Sequence, residues 1–160
     1  MSHLAVLRTL LEALPLLCVI HRAGRVKWVN SATASFNHVQ PRDLIGLRTR
    51  VLCERLCAQP PKRPTTELHW CARKPGWFRI TTVALRGGAV VAVAEDMTAR
   101  FQLLAQRRLL TLSAPPSCED RRMVTLLSAG YDPTDIAMAC SVSTTTVFGW
   151  LANMAGVAPR

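Results

Sequence analysis

Residues 111–118 read Thr-Leu-Ser-Ala-Pro-Pro-Ser-Cys, and no helix or strand continues through two consecutive prolines, which remove two amide donors and fix φ. This seam cuts the chain of 160 residues into a long first segment and a short second one, each of a size to form one small domain. The segments also differ in charge. Residues 1–110 hold 17 Lys and Arg against 6 Asp and Glu, a formal +11, whereas residues 111–160 hold 3 against 4, a formal −1. The basic excess points to a polyanionic partner, because clustered Lys and Arg attract phosphates and steer association. With 49% apolar and 19% charged residues the chain is expected to bury a core rather than stay disordered. No apolar run approaches the roughly 18 to 20 residues of a membrane span, and residues 10–20 are interrupted by Glu12 and Pro15 with no small-residue cleavage site after them. A cytoplasmic protein without membrane contact is expected. The six cysteines, at 18, 53, 57, 71, 118 and 140, are scattered among helix-like and strand-like segments, which predicts reduced thiols rather than a disulfide framework.

Periodicity divides the first segment further. Leucines at 4, 7, 10, 11 and 14 make one helical stripe, closed by Pro15. Residues 16–21 and 25–29 are β-rich runs around Ala23-Gly24, a hairpin signal. Residues 31–38 read as a helix capped by Asn30 or Ser31, Pro41-Arg42-Asp43 opens another helical turn, and 49–58 is a third helical stretch before Pro60, Pro61 and Pro64. Three more strands are predicted at 65–72, 77–85 and 89–94, with Lys74-Pro75-Gly76 and Arg86-Gly87-Gly88 as turns. An α+β fold follows, with a five-stranded antiparallel sheet and flanking helices.

Several separated motifs in this order resemble the PAS family: residues 10–15 (Leu-Leu-Glu-Ala-Leu-Pro), 19–30 with Gly24 and Trp28-Val29-Asn30, Asp43-Leu44-Ile45-Gly46, and Glu95-Asp96-Met97-Thr98-Ala99-Arg100 as the closing segment. The resemblance implies a sensor or dimerisation domain over residues 16–99, preceded by a flanking helix at 1–15 and followed by a connecting helix and linker at 100–117. It implies an apolar cavity inside the curved sheet, for which Trp28, Asn30, Phe36, Ile45, Trp70 and Phe78 are candidate lining residues. The sequence leaves the cofactor of such a cavity unknown; the cysteine motif of flavin-adduct photosensors is absent, and His38 is a lone candidate haem ligand whose ordinary reading is a packed or surface histidine. Helices flanking PAS domains commonly pair, which makes Leu4, Leu7, Leu11, Leu14, Phe101 and Leu104 candidates for a homodimer interface; the alternative is that both helices cover their own sheet.

Cys53 and Cys57 share a helix face at i, i+4, and His69 and Cys71 share a strand face, so the four could form a Cys3His metal site of the kind that suits zinc. The competing reading is of cysteines as small buried apolar residues, with no metal.

In the second segment, a helix over 119–129 stops at Gly130, and Asp132-Pro133-Thr134-Asp135 starts the next with an N-cap, a proline at the first helical position and an acid near the positive end of the dipole. Cys140-Ser141-Val142 is the turn, and Ser143 caps a third helix to about 154 with Val147, Trp150, Leu151 and Met154 at core spacing. Leu126-Leu127-Ser128-Ala129-Gly130, Asp135-Ile136-Ala137, Val142-Ser143-Thr144-Thr145-Thr146-Val147 and Asn153-Met154 resemble the LuxR-type helix-turn-helix domain, here at 118–160. The resemblance implies a recognition helix that presents Ser143, Thr144, Thr145, Phe148, Gly149 and Asn153 to double-stranded DNA. The family's usual lysine and histidine are replaced by Phe148 and Trp150.

These readings together predict a DNA-binding transcription regulator, not an enzyme: no phosphate loop, paired carboxylates or nucleophile with an assigned base occurs. The arrangement is also similar to bacterial conjugation activators of the TraJ type. The alternative is a regulatory interaction module whose degenerate helix-turn-helix contacts protein, such as RNA polymerase or another regulator, instead of DNA.

Overall fold

The computed structural model describes residues 3–52, 63–71, 75–111 and 118–155. In order these form α1 (His3–Glu12), β1 (Leu17–Arg22), β2 (Arg25–Val29), α2 (Ser31–Phe36), α3 (Pro41–Leu44), β3 (Thr65–Cys71), β4 (Gly76–Ala84), β5 (Ala89–Asp96), α4 (Thr98–Thr111), α5 (Cys118–Ser128), α6 (Pro133–Cys140) and α7 (Thr144–Ala155). The strands make one five-stranded sheet in the order β2-β1-β5-β4-β3, with β1 antiparallel to both of its neighbours. By compactness the chain divides into a first unit, 1–67 with 79–95, and a second, 68–78 with 96–160. No described helix is long and apolar enough to cross a membrane.

The first unit begins with the hairpin the sequence predicts. Ala23 and Gly24 both take positive φ, 50° and 70°, as a two-residue turn matched to the strands' twist requires. Successive residues of β1 then face opposite ways and seed two apolar clusters. Cys18 and Ile20 join Leu11 of α1 and Val91 of β5, whereas Val19 joins Val26, Val29 and Leu44 of α3. Of the third predicted helical stretch, Thr49–Val51 forms a single 3-10 turn and residues 53–58 lie outside the described residues.

Asn30 ties this unit together. It is fully buried, and its Oδ1 accepts from the backbone N–H of Cys18 (3.1 Å) and of Thr33 (3.0 Å) and from the Thr33 hydroxyl (2.8 Å). Its Nδ2 donates to the carbonyls of Leu16 (2.8 Å), Leu11 (3.2 Å) and Leu14 (3.4 Å). The residue expected as a helix cap is therefore a cap for α2 and also a clasp on the C-terminal end of α1. Glu12 adds to that clasp by accepting from the Ser31 N–H at 2.9 Å.

The second unit has its own core. Trp77, Met97, Phe101 and Ala105 pack with Met123, Val124 and Leu127 of α5, Ile136, Ala137 and Cys140 of α6, and Val147 and Leu151 of α7. This core takes up part of the expected dimer stripe. Phe101 is fully buried and Leu104 packs against the same core, while Leu11 is buried and Leu7 packs on the cluster beneath α1. Of the six candidates Leu4 and Leu14 are exposed, together with Val6 and Leu10 of the same segment. An apolar stripe looks the same in sequence whether it covers its own sheet or a partner's, which is why periodicity alone left both readings open.

Candidate nucleic-acid interface

α6 and α7 owe their boundaries to short-range hydrogen bonds. Asp132 Oδ1 accepts from the N–H groups of Thr134 (2.7 Å) and Asp135 (2.9 Å), and Pro133 occupies the first helical position, where no amide proton is needed. α5 and α6 end in the same way. Gly130 (φ 83°) donates to Leu127 O and Tyr131 to Leu126 O, both at 3.1 Å; Ser141 (φ 56°) donates to Met138 O at 3.2 Å and Val142 to Ala137 O at 3.0 Å. Both pairs satisfy carbonyls that a helix end leaves open, through one residue in the left-handed region. Ser143 then caps α7: its Oγ accepts from the Thr146 N–H at 3.0 Å and lies 2.8 Å from the Thr146 hydroxyl.

The turn sets α7 so that Val147, Leu151 and Ala152 are buried while Thr144, Thr145, Thr146 and Asn153 are exposed. Ser143 is exposed too, but its hydroxyl oxygen serves the cap. Gly149 is half-buried, and a Cβ built on it meets nothing within 4 Å, so no neighbouring side chain requires a glycine there. Its absent side chain leaves the helix backbone open to close approach from outside.

Phe148 departs from expectation. It is half-buried, and its ring meets Trp77 edge-on with centroids 5.1 Å apart. Trp77, 1% exposed, is the hub of this aromatic cluster, with Trp70 at 5.2 Å and Phe101 at 6.0 Å, all in edge-to-face geometry. Sequence reasoning placed Trp77 in a strand but gave it no role, since alternation along a strand does not say which element will cover a given face. The signal that was present is the pairing of Trp77 with Phe78, two large aromatics on opposite faces of one strand.

The electrostatics of this surface are sparse. No Lys or Arg occurs between Arg122 and Arg160, and Asp132 and Asp135 sit beside Trp70, Pro75 and Tyr131 around a pocket of about 360 Å³. Among the residues whose side chains are described, the exposed arginines of the second unit lie on α4 (Arg100, Arg107) and α5 (Arg121, Arg122).

The six pocket candidates have different surroundings among the described residues. Trp28 packs on the cluster of Leu11, Cys18 and Ile20, Asn30 is saturated with backbone partners, and Ile45 is 45% exposed. Trp70 belongs to the aromatic cluster, Phe36 is half-buried and Phe78 is buried. His38 is exposed at a positive-φ turn position. Of the four metal-ligand candidates, Cys53 and Cys57 lie outside the described residues, and His69 and Cys71 are half-buried; among the described residues no cluster of His, Cys, Asp or Glu is arranged to hold a metal ion. Burial, aided by the charge of Glu12, pushes the Cys18 thiol up to about 11, and burial lowers the pKa of His21, whose Nδ1 has no hydrogen-bond partner among the described residues.

No protein-family model and no curated protein matches the sequence. Among solved structures the chain is similar to the PAS domain of Bordetella pertussis BvgS, at 18% identity and a TM-score of 0.50 over 68% of this chain and 97% of that one. It is also similar to Vibrio cholerae VqmA in a complex with ligand and DNA (15% identity, TM-score 0.46, 98% of this chain and 82% of that one). A third likeness is to the PAS domain of a LuxR-family transcriptional regulator from Burkholderia thailandensis in complex with ethanol (16% identity, TM-score 0.40, 61% and 99%). The BvgS likeness, with the strand order β2-β1-β5-β4-β3 and the helices that flank it, identifies the fold around the sheet as PAS-like.

Proposed function

We propose that this chain is a transcription regulator of the LuxR type, in which a PAS-like domain at 16–99 receives a signal or mediates pairing and a helix-turn-helix at 118–160 binds promoter DNA, in the manner of TraJ-type conjugation activators. The observation that carries the reading is the pair α6 and α7, capped by Asp132 and Ser143 and joined by a tight left-handed turn, which leaves Thr144, Thr145 and Asn153 exposed and Gly149 half-buried on the second helix. Threonine hydroxyls can reach phosphates or base edges, a threonine methyl can meet a thymine methyl, and an asparagine amide can pair with adenine. The protein acts in the cytoplasm as a homodimer that uses the exposed Val6, Leu10 and Leu14 face, and its two recognition helices meet half-sites one turn of DNA, roughly 34 to 36 Å, apart. With no cation on α6 or α7, the phosphate attraction comes from the +11 of residues 1–110.

Selection from a random duplex pool, followed by anisotropy titrations of the enriched duplex, tests this. Wild type enriches a two-fold site, Thr145→Ala weakens binding to it several-fold, up to about tenfold for a lost hydrogen bond, and Gly149→Ala weakens binding while stabilising the fold. Failure to enrich any sequence, with both variants binding like wild type, overturns it.

A second reading rests on a specific observation: the acidic pocket at Asp132 and Asp135 with exposed Tyr131, together with the 68%-exposed Met138 on α6, is chemistry for a protein partner and not for phosphate. That reading takes α6 and α7 as a contact for RNA polymerase or another regulator.

A further inference from the structure

α1 is clasped at its C-terminal end by Asn30 and Glu12, and towards its N-terminal end it stands over a groove of about 750 Å³ that lies wholly within the first unit. Leu4 and Leu7 of α1, Ile20 of β1, and Leu85 and Ala89 at the β4–β5 turn supply its apolar lining. Ile20 alternates with Val19, so this is the face of the sheet opposite α3, not the face on which Leu44 packs. The polar lining is of one sign. Arg8, Arg22, Lys27 and Arg86 all border the groove, His3 stands with them, and no Asp or Glu is among the lining residues.

A volume of this size lies within the range of small-molecule sites, which combine apolar walls with a few placed polar groups. One of those groups lacks its partner. Arg8 is half-buried, and its buried Nε has no hydrogen-bond acceptor among the described residues, although a buried donor left unpaired is unfavourable and a guanidinium favours a carboxylate in a two-pronged geometry. Four cations around an apolar trough, one of them holding an unmet donor, are complementary to a molecule with an anionic head and a hydrocarbon tail. A polyanion would find the cations but not the apolar wall, and an uncharged lipid would find the wall but leave Arg8 unsatisfied.

We propose that this groove binds a single-tailed anionic amphiphile, with its carboxylate on Arg8 and the neighbouring cations and its tail against Leu4, Leu7, Ile20 and Leu85. The site does not depend on whether α6 and α7 bind DNA, and its test is separate from that of the DNA reading.

The experiment titrates the full-length protein with decanoate, decanol and decyltrimethylammonium below their micelle concentrations, by calorimetry and by thermal shift, in wild type and in Arg8→Gln/Arg86→Gln. Decanoate is expected to bind and raise the melting temperature, the two other heads to bind at least tenfold more weakly, and the double variant to lose at least tenfold in decanoate affinity while it melts as wild type does without ligand. Equal binding of all three heads, or unchanged decanoate affinity in the double variant, overturns the proposal. If the double variant does not fold, a photoreactive fatty carboxylate cross-linked to wild type decides: labels confined to residues 3–8, 20–27 and 85–89 support the site, and labels elsewhere or on no peptide refute it. A groove filled instead by a second copy of the chain appears as a dimer, unchanged by decanoate, in which these peptides stay unlabelled.

Discussion

Replacing Asn30 by alanine probes the clasp that joins α1, β1 and α2. The side chain is fully buried and makes six polar contacts, of which three serve backbone groups in or beside the core: the N–H of Cys18, the N–H of Thr33 and the carbonyl of Leu16. The Thr33 hydroxyl keeps a partner, since it also reaches the Cys18 carbonyl at 3.1 Å. Each buried group left unpaired costs about 1 to 3 kcal/mol, and some relax towards water, so Asn30→Ala should cost about 4 kcal/mol. That is a large fraction of the roughly 5 to 15 kcal/mol that holds a domain folded. In urea, with a slope of about 2 kcal/mol per molar, the midpoint should fall by about 2 M. Asn30→Asp sharpens the test, because it keeps the acceptors facing Cys18 and Thr33 but turns a carboxylate towards the carbonyls of Leu11, Leu14 and Leu16. Burial and those carbonyls raise that carboxyl's folded pKa above its unfolded value, so the folded state binds the extra proton and stability should fall as pH rises through the folded pKa. The assay is urea unfolding followed by far-UV circular dichroism at pH 5 and pH 8. A midpoint shift below about 0.5 M for Asn30→Ala with an unchanged slope, or an Asn30→Asp variant no more stable at pH 5 than at pH 8 relative to wild type, would refute the clasp.

Three further outcomes are expected. Ser141 ends α6 at φ 56° where Gly130 ends α5 at φ 83°, so Ser141→Gly should stabilise the second unit by about 0.5 to 1 kcal/mol, read as a higher melting temperature; an unchanged or lower one counts against the cap assignment. His21 is 1% exposed with its pKa lowered by burial, so the unfolded chain takes up its proton first and stability should decline as pH falls below about 6.5; His21→Phe should flatten that part of the stability–pH curve, and an identical curve excludes His21 as its source. Cys118 is exposed whereas Cys18 and Cys140 are buried, and the Cys18 thiol is pushed up to about 11; a brief native alkylation mapped by mass spectrometry should mark Cys118 and spare the other two until denaturant is added.

What the sequence made legible is what local chemistry decides. The Ala23-Gly24 turn, the Asp132-Pro133 start, the Gly130 stop and the Ser143 cap each depend on residues within a few positions of one another, and each appears at its expected place. What it left open depends on which distant surface meets an apolar residue. Leu7 and Leu11 could cover their own sheet or a partner's, and Phe148 could face solvent or protein; nothing within a turn of either helix distinguishes these outcomes. Asn30 shows the same limit in a polar residue: its contact with Thr33 is a helix cap written in the sequence, but its bonds to Cys18 and to the end of α1 span 12 to 19 positions. The Phe148 placement changes the chemistry available to α7. With its ring against Trp77, the exposed edge is reduced to Thr144, Thr145, Thr146 and Asn153 beside half-buried Gly149, with neither a cation nor an exposed aromatic ring. If that edge reads DNA, discrimination between sequences must come from hydroxyl, amide and methyl contacts at close backbone approach, and affinity must come from elsewhere in the chain. A substitution at Thr145 should therefore change which sequence is preferred, whereas removal of arginines from residues 1–110 should weaken binding to all sequences alike and lower its dependence on salt.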